Sequence, residues 1–205
     1  MRRTTAIPPA AVDALRRTVD GLVAYPTDPA YDAALSDPHA PHVRPDVVVV
    51  PATELAAAAA VDVARAHGLR ISGPTSGDEP VMIVLTHRLV DVDVDPRTAT
   101  ATVGAGVTWA DLETRALDSG LAPQHPGPDA PRGVVASACA GVVDALAVRV
   151  VQADGFVHVV DDPRPAPGQA QPWIVTAVIV RLRPLTTSTT TPSTTTHATN
   201  ERMPS

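Results

Sequence analysis

A run of four β-branched apolar residues, Val47–Val50, constrains the fold more than any other feature of this chain. A strand without a polar position has both faces buried, which is typical of a parallel sheet. Thr53 can cap a helix from Glu54 to His67, and Gly68 stands where a helix commonly ends. Residues 69–72 form the next short strand. We therefore expect a βαβ unit with parallel strands and a right-handed crossover.

The rest of the chain alternates short apolar strands with helices. An amphipathic helix is predicted over residues 8–23, and a proline-rich connector follows over residues 25–45. Asp154-Gly155 is a strong hairpin-turn signal between two later strands. Further strands are expected over residues 81–85, 90–95, 99–103, 148–153, 156–160 and 173–182, and further helices over residues 108–118 and 133–143.

Charge and cysteine content exclude several classes of function. The net charge is -6 and the pI is near 5.5, so no surface for nucleic acid or anionic membranes is expected. Cys139 stands alone, which excludes an internal disulfide and a cysteine-based zinc site. No signal peptide or membrane span is recognisable, because charged residues interrupt the N-terminal segment and no apolar run is long enough. A cytoplasmic location is therefore expected.

Candidate metal ligands and catalytic groups are few. Asp91, Asp93 and Asp95 recur at a spacing of two and share one strand face, where three carboxylates could hold a hard cation. A solvated strand face is the favoured alternative, because no calcium-loop pattern follows. The seven histidines show no metal-ligand spacing, so no metal site is predicted. Ser137 and Cys139 have no recognisable partner base, and no catalytic residue is assigned.

Seven segments of the chain carry a resemblance to a known family. One of them runs from Ala101 to Trp109 and contains Val103-Gly104-Ala105-Gly106. The others are residues 44–51, 64–69, 92–96, 120–121, 150–155 and 175–185. In this order they resemble the FAD-binding, PCMH-type domain of the vanillyl-alcohol oxidase and berberine-bridge-enzyme family. The resemblance covers about residues 31–185 and implies two α+β lobes with FAD between them.

The resemblance implies a division of the chain into parts. Residues 1–45 are expected to form the N-terminal helix and connector, and residues 46–185 the PCMH-type domain. Within the domain we expect a βαβ first lobe over residues 46–104 and a mixed-sheet second lobe over residues 105–185. Residues 186–205 are rich in Thr and Ser and lack the apolar surface needed to fold, which predicts a disordered tail.

The resemblance also assigns residues that would contact FAD. In this family the N–H groups of glycine-rich turns approach the pyrophosphate, since no side chain stands in the way. For Gly104 and Gly106, tight strand-to-helix packing is expected instead. The predicted cofactor-binding residues are Gly73, Thr75, Ser76, Gly77, Gly127, Gly133, Ser137, Gly141, Val175 and Thr176.

The first of these loops differs from the family pattern. The family has an Arg-Gly-Gly-His-like loop, whose histidine in some members bonds covalently to the flavin. Here the loop runs from Ser72 to Pro80 without a histidine, so non-covalent FAD is expected. A plain surface turn is the alternative for residues 73–77, because Asp78 and Glu79 would repel a pyrophosphate.

Three functions follow as hypotheses. The first is an FAD-dependent oxidoreductase that oxidises a small molecule by hydride transfer to the flavin and returns the electrons to oxygen. The second is a shortened, degenerate and non-catalytic relative that acts as a scaffold for a partner or as a homodimer. The third is one part of a split enzyme, whose substrate domain is a separate chain, because no such domain is recognisable after residue 185.

Overall fold

The computed structural model describes residues 7–36, 44–71, 81–127, 131, 133–143, 145–161 and 173–185. Within these residues the chain forms two β-sheets, one of four strands and one of six. Residues before Leu85 supply the first sheet, and residues after Asp91 supply the second. The predicted two-lobed α+β fold is therefore confirmed.

The elements follow one another along the chain in two groups. The first lobe consists of α1 (Pro9–Thr18), β1 (Gly21–Ala24), α2 (Pro29–Leu35), β2 (Val47–Pro51), α3 (Glu54–Ala66), β3 (Arg70–Ile71) and β4 (Val81–Val84). The second lobe consists of β5 (Val92–Asp95), β6 (Thr100–Gly104), α4 (Trp109–Leu117), β7 (Leu121–Pro123), α5 (Val134–Cys139), β8 (Ala145–Val151), β9 (Val157–Val160) and β10 (Ile174–Pro184).

Strand β2 lies inside the first lobe and is buried at every position, as its apolar sequence predicts. Val47 and Val49 pack in a cluster with α1 and α3, whereas Val48 and Val50 pack in a cluster with α2. The strand order is β1-β2-β4-β3, so β4 separates the two strands of the expected βαβ unit. Strands β2 and β3 run parallel as predicted, but each pairs with β4 and not with the other.

Two elements of the first lobe differ from the sequence prediction. Helix α1 ends at Thr18, and Gly21–Ala24 form β1 antiparallel to β2 instead of continuing the helix. The break is fixed at Gly21, which has a φ of +147° and lies so close to β2 that a Cβ would stand 2.2 Å from the Val50 carbonyl oxygen. The expected connector over residues 25–45 contains α2, which begins at Pro29 because proline suits the first helical position.

Strand β10 organises the second lobe. It pairs with β6 on one edge and with β8 on the other, and its last residues pair with β7, a strand not predicted. Helices α4 and α5 cover one face of this sheet. Helix α4 begins with a capping box between Thr108 and Asp111. Strands β8 and β9 form the hairpin predicted at Asp154-Gly155.

The sheets divide earlier in the chain than the predicted lobe boundary. We expected the first lobe to run to residue 104, but β5 pairs with β6 and β6 pairs with β10 of the second sheet. The change of sheet therefore lies between Val84 and Val92. The hairpin pattern of β5 and β6 does not reveal which sheet they join, because their partner β10 lies far along the chain.

Helix α3 contacts both sheets. Its residues Ala56, Ala60, Val63 and Ala64 belong to the core of the first lobe. Its residues Ala57, Ala58 and Val61 form a separate cluster with Val151 of β8, against which Ile174 of β10 also packs. The helix is therefore a shared element, and it brings the start of β10 next to the first lobe.

Candidate cofactor-binding site

The ten predicted cofactor-binding residues divide into two sets. Gly73, Thr75, Ser76 and Gly77 lie in residues 72–80, outside the described residues. Gly127, Gly133, Ser137, Gly141, Val175 and Thr176 are described, and all six lie in the second lobe. Gly127 follows β7, whereas the other five lie on or beside α5 and on β10, which contact each other. The structure thus places five of the predicted residues on or beside two elements that contact each other.

Two predicted site residues bound the short helix α5. Gly133 is its N-cap residue and forms a β-bridge with Thr108. Gly141 follows the C-cap residue, has a φ of +70°, and donates its N–H to the Ala138 carbonyl oxygen at 2.9 Å. Both glycines therefore hold the ends of the helix, and what they can offer a ligand is backbone.

Ser137 is fully buried, and its hydroxyl group already has partners. Its Oγ accepts a hydrogen bond from Trp109 Nε1 at 3.1 Å. It also lies 3.0 Å from the carbonyl oxygens of Pro131 and Gly133, to either of which it can donate. A buried indole N–H needs an acceptor, and Ser137 provides it. Its backbone N–H donates to the Gly133 carbonyl oxygen at 3.0 Å, so both donors of Ser137 are already used within the protein.

Thr176 is 2% exposed and joins the two lobes. Its Oγ1 donates to Glu54 Oε1 at 2.5 Å and lies 3.1 Å from the Arg149 carbonyl oxygen. The guanidinium group of Arg149 pairs with the other carboxylate oxygen, Glu54 Oε2. Glu54 is the first residue of α3, so one carboxylate from the first lobe receives donors from β8 and β10 of the second.

The same residue sits at an irregularity of the sheet. Val175 pairs with Val150 and Ala177 pairs with Arg149, so Thr176 is an extra residue between two consecutive pairs. Its carbonyl oxygen instead accepts the Ala105 N–H at 2.9 Å from the other edge of β10. This arrangement is a β-bulge, a feature that is over-represented next to active sites.

Gly104 and Gly106 pack tightly, as predicted, although their neighbour is not a helix. The Gly104 N–H donates to Asp91 O and the Gly106 N–H donates to Leu89 O, at 2.8 and 2.9 Å. A Cβ at Gly106 would lie 2.0 Å from the His87 carbonyl oxygen. These glycines therefore let the turn after β6 lie directly on residues 87–91.

The other candidate groups of the sequence have structural roles. Asp91, Asp93 and Asp95 are all exposed, which confirms the solvated strand face. Cys139 packs against the core of the second lobe, and burial raises the pKa of its thiol, so it remains protonated at neutral pH.

Two features are absent from the described part of the chain. No cluster of three or more His, Cys, Asp or Glu side chains there could hold a metal ion. Nor does any described helix have the length and apolar character needed to cross a bilayer.

Sequence reasoning missed the residues that join the lobes. The Thr53 cap pattern predicts only that Glu54 begins a helix, and Arg149 is a charged residue inside an otherwise apolar strand. A signal was present, because Arg149 is the one charged residue of Ala145–Val151 and a charge in a buried strand requires a partner. The identity of that partner cannot be read from the chain, since Glu54 is far away in sequence.

The residues of this region fit an anionic cofactor such as FAD. The segment from Gly133 to Val143 contains no charged side chain, so no carboxylate in it opposes a pyrophosphate. Gly127 has open space where a side chain would stand, and the nearest atom to a Cβ at Gly133 would be Ala136 Cβ, at 3.6 Å. Backbone N–H groups in such positions are the donors that phosphate oxygens use.

Solved structures of flavoprotein-related enzymes share this fold. The wild-type BBE-like 1 protein of Physcomitrella patens matches with a TM-score of 0.62 and 20% identity, over 85% of this chain and 44% of its own. The grass pollen allergen Phl p 4, which has glucose dehydrogenase activity, also matches with a TM-score of 0.62 and 20% identity, over 85% of this chain and 44% of its own. The 6-hydroxy-D-nicotine oxidase from Arthrobacter nicotinovorans matches with a TM-score of 0.57 and 24% identity, over 81% of this chain and 43% of its own. The chain thus spans less than half the length of these proteins.

A family model extends the comparison to the sequence. No curated protein matches the chain. The model described as FAD binding domain matches residues 45–161, which is more than half of the chain and runs from β2 of the first lobe to β9 of the second. With the two-lobed fold and its structural relatives, this match shows that the chain belongs to the FAD binding domain family, of PCMH type.

Proposed function

We propose that this chain binds FAD non-covalently between its two lobes and serves an oxidoreductase that acts on a small organic molecule. The observation that carries the proposal is the FAD binding domain match over residues 45–161, because it includes strands of both sheets and the helix that joins them. The absence of a histidine from residues 72–80 of the sequence supports non-covalent binding.

The chain's own residues would bind and orient the cofactor. When bound, FAD supplies a hydride acceptor, and the protein supplies position and electrostatics. The N–H groups of Gly127 and Gly133 would face the phosphates, and Val175 would contact the cofactor from β10. The N–H group of Gly141 is already bonded to Ala138 O, so Gly141 would contribute only by ending α5 without a side chain. The segment around α5 supports this assignment, since it has no carboxylate that would repel the negatively charged pyrophosphate.

The structural relatives support a proposal about the class of substrate. Those named above are a BBE-like protein, a glucose dehydrogenase and a nicotine oxidase, which act on small molecules where their names specify a substrate. We propose that the substrate is likewise small and that a separate substrate-domain chain, or a second copy of this chain, completes the pocket. The relatives' greater length supports a contribution from further polypeptide.

A second candidate function is a non-catalytic scaffold. The observation that favours it concerns the two predicted hydroxyl contacts that the structure describes. Those of Ser137 and Thr176 are engaged in hydrogen bonds within the protein. In that function the two-lobed fold would persist for binding a partner or for dimerisation, without flavin.

A titration with FAD separates the two functions. The purified chain is titrated while the visible absorption and fluorescence of the flavin are recorded, and acid precipitation then tests whether the flavin is released. We expect a saturable spectral change and complete release into the supernatant. A flavin spectrum that the protein leaves unchanged would refute the oxidoreductase proposal and favour the scaffold.

A variant that adds a negative charge at the end of α5 tests where FAD binds. Gly133→Asp places a carboxylate at the N-cap of α5, where the space is sufficient and Asp is a favoured capping residue, so the fold should not suffer. We expect FAD to bind at least tenfold more weakly, which corresponds to about 1.4 kcal/mol. Ala10→Asp, which adds the same charge at an exposed position in the first turn of α1, is the matched control and should bind FAD as the wild type does.

A further inference from the structure

Glu54 occupies a position that no cofactor-binding pattern assigns. It is the first residue of α3, in the first lobe, and its side chain is 23% exposed. Both carboxylate oxygens point to the second lobe, where one accepts from Thr176 and the other pairs with Arg149. A charged acceptor makes the stronger kind of hydrogen bond, and partial burial reduces the competition from water.

The bond from Thr176 holds a specific backbone conformation. Thr176 is the extra residue of the β-bulge, so its N–H and carbonyl are not fixed by a regular ladder with β8. The side-chain bond to Glu54 and the Ala105 N–H bond to its carbonyl hold the bulge from two sides. Val175, the neighbouring predicted cofactor contact, pairs with Val150 and lies directly before this bulge.

Arg149 provides the second contact of the Glu54 carboxylate with the second lobe. Its guanidinium group is 40% exposed and lies beside the bulge, where the Arg149 carbonyl oxygen is 3.1 Å from Thr176 Oγ1. Without Glu54 this cation would lose its described partner, and it would be free to take other positions near the start of β10. The carboxylate thus orders two strands of the second lobe from a helix of the first.

We propose that Glu54 is a positioning residue of the FAD site, acting through Thr176 and Arg149 to set the start of β10 against the first lobe. The inference rests on the proposed function, since it concerns the same cofactor. It adds that FAD affinity depends on a carboxylate that does not touch the cofactor, and that the two lobes must be joined by this contact for the site to be complete.

Three variants test the proposal by FAD titration and by the visible circular dichroism of the bound flavin. Glu54→Gln keeps the size of the side chain but removes its charge, and Thr176→Val keeps the shape but removes the hydroxyl group. We expect each to weaken FAD binding at least tenfold and to change the flavin dichroism. Thr176→Ser restores the hydroxyl group and should bind within threefold of the wild type, which a role in packing alone does not explain.

The control and the double variant make the outcomes distinct. Glu113→Gln applies the same substitution to an exposed residue of α4 that contacts His125, and it should leave FAD binding unchanged. Glu54→Ala combined with Thr176→Val should bind FAD no more weakly than Glu54→Ala alone, since Glu54→Ala already removes the acceptor of the Thr176 hydroxyl group. If the wild type binds FAD and the Glu54→Gln and Thr176→Val variants bind it equally well, the positioning role is refuted and the proposed function stands. A wild type that does not bind FAD overturns the proposed function and this inference together.

Discussion

The Gly106→Ala variant adds a single methyl group at the turn after β6. The Cβ of alanine would stand 2.0 Å from the carbonyl oxygen of His87 and 2.5 Å from its carbonyl carbon. Both atoms are backbone, so rotation of a side chain cannot relieve the overlap. The turn after β6 must therefore move away from residues 87–91 by about 1 Å before the contact becomes acceptable.

The cost of this movement has two parts. Forcing a methyl group into a closed contact costs about 1–3 kcal/mol in well-packed proteins. The movement also breaks or stretches the hydrogen bond from Gly106 N–H to Leu89 O, now 2.9 Å, and a buried bond of this kind contributes about 1 kcal/mol. We therefore expect a loss of about 2–4 kcal/mol, a large part of the total stability of an ordinary domain.

Urea unfolding provides the measurement. The transition is followed by the fluorescence of Trp109 and Trp173 and by far-ultraviolet circular dichroism. Gly127→Ala is the control, because a Cβ there meets nothing within 4 Å. If Gly106→Ala unfolds at the same urea concentration as the control, the close approach of the two backbones is not what requires glycine, and the reasoning is refuted.

Two further predictions concern a turn and a helix cap. Ala99 has a φ of +50°, which glycine adopts without strain, so Ala99→Gly should raise the free energy of unfolding by about 0.5 kcal/mol in the same urea assay, and a decrease would contradict this. Hydrogen bonds from Thr108 lower the pKa of Asp111, so the Asp111 carboxylate stabilises the fold above its unfolded pKa of about 3.9 and that contribution is lost as the pH falls through the folded pKa. The difference in urea midpoint between the wild type and Asp111→Asn should therefore be present at pH 7 and vanish in strongly acidic buffer; a difference independent of pH would contradict the assignment.

The parts of the fold that sequence predicts well are those with strong local signals. The apolar run of β2, the Thr53 cap of α3 and the Thr108 cap of α4 all specify their structure within a few residues. Strand β1 was missed because Leu22 and Val23 continue the apolar spacing of α1. The signal that ends the helix is Gly21, whose close approach to β2 involves residues distant in sequence.

Pairing between distant segments was less predictable. The order β1-β2-β4-β3 and the joining of β6 to β10 depend on which strands meet, and local patterns do not encode this. The same limit applies to the site, where Ser137 and Thr176 could be selected by position along the chain. Their partners, Trp109 and Glu54, lie in other elements, so the hydrogen bonds that engage the two hydroxyl groups emerge only when the chain is folded.

The alanine-rich composition of α3 has a consequence for the distance between the two sheets. Its residues toward both sheets are mostly alanine, so the thickness of protein that separates the sheets here is little more than that of the helical backbone itself. Helix α3 therefore sets the distance between the two sheets where it contacts them. Larger side chains on either face of α3 would push the two sheets apart, so the spacing of the lobes depends on the methyl groups of this helix.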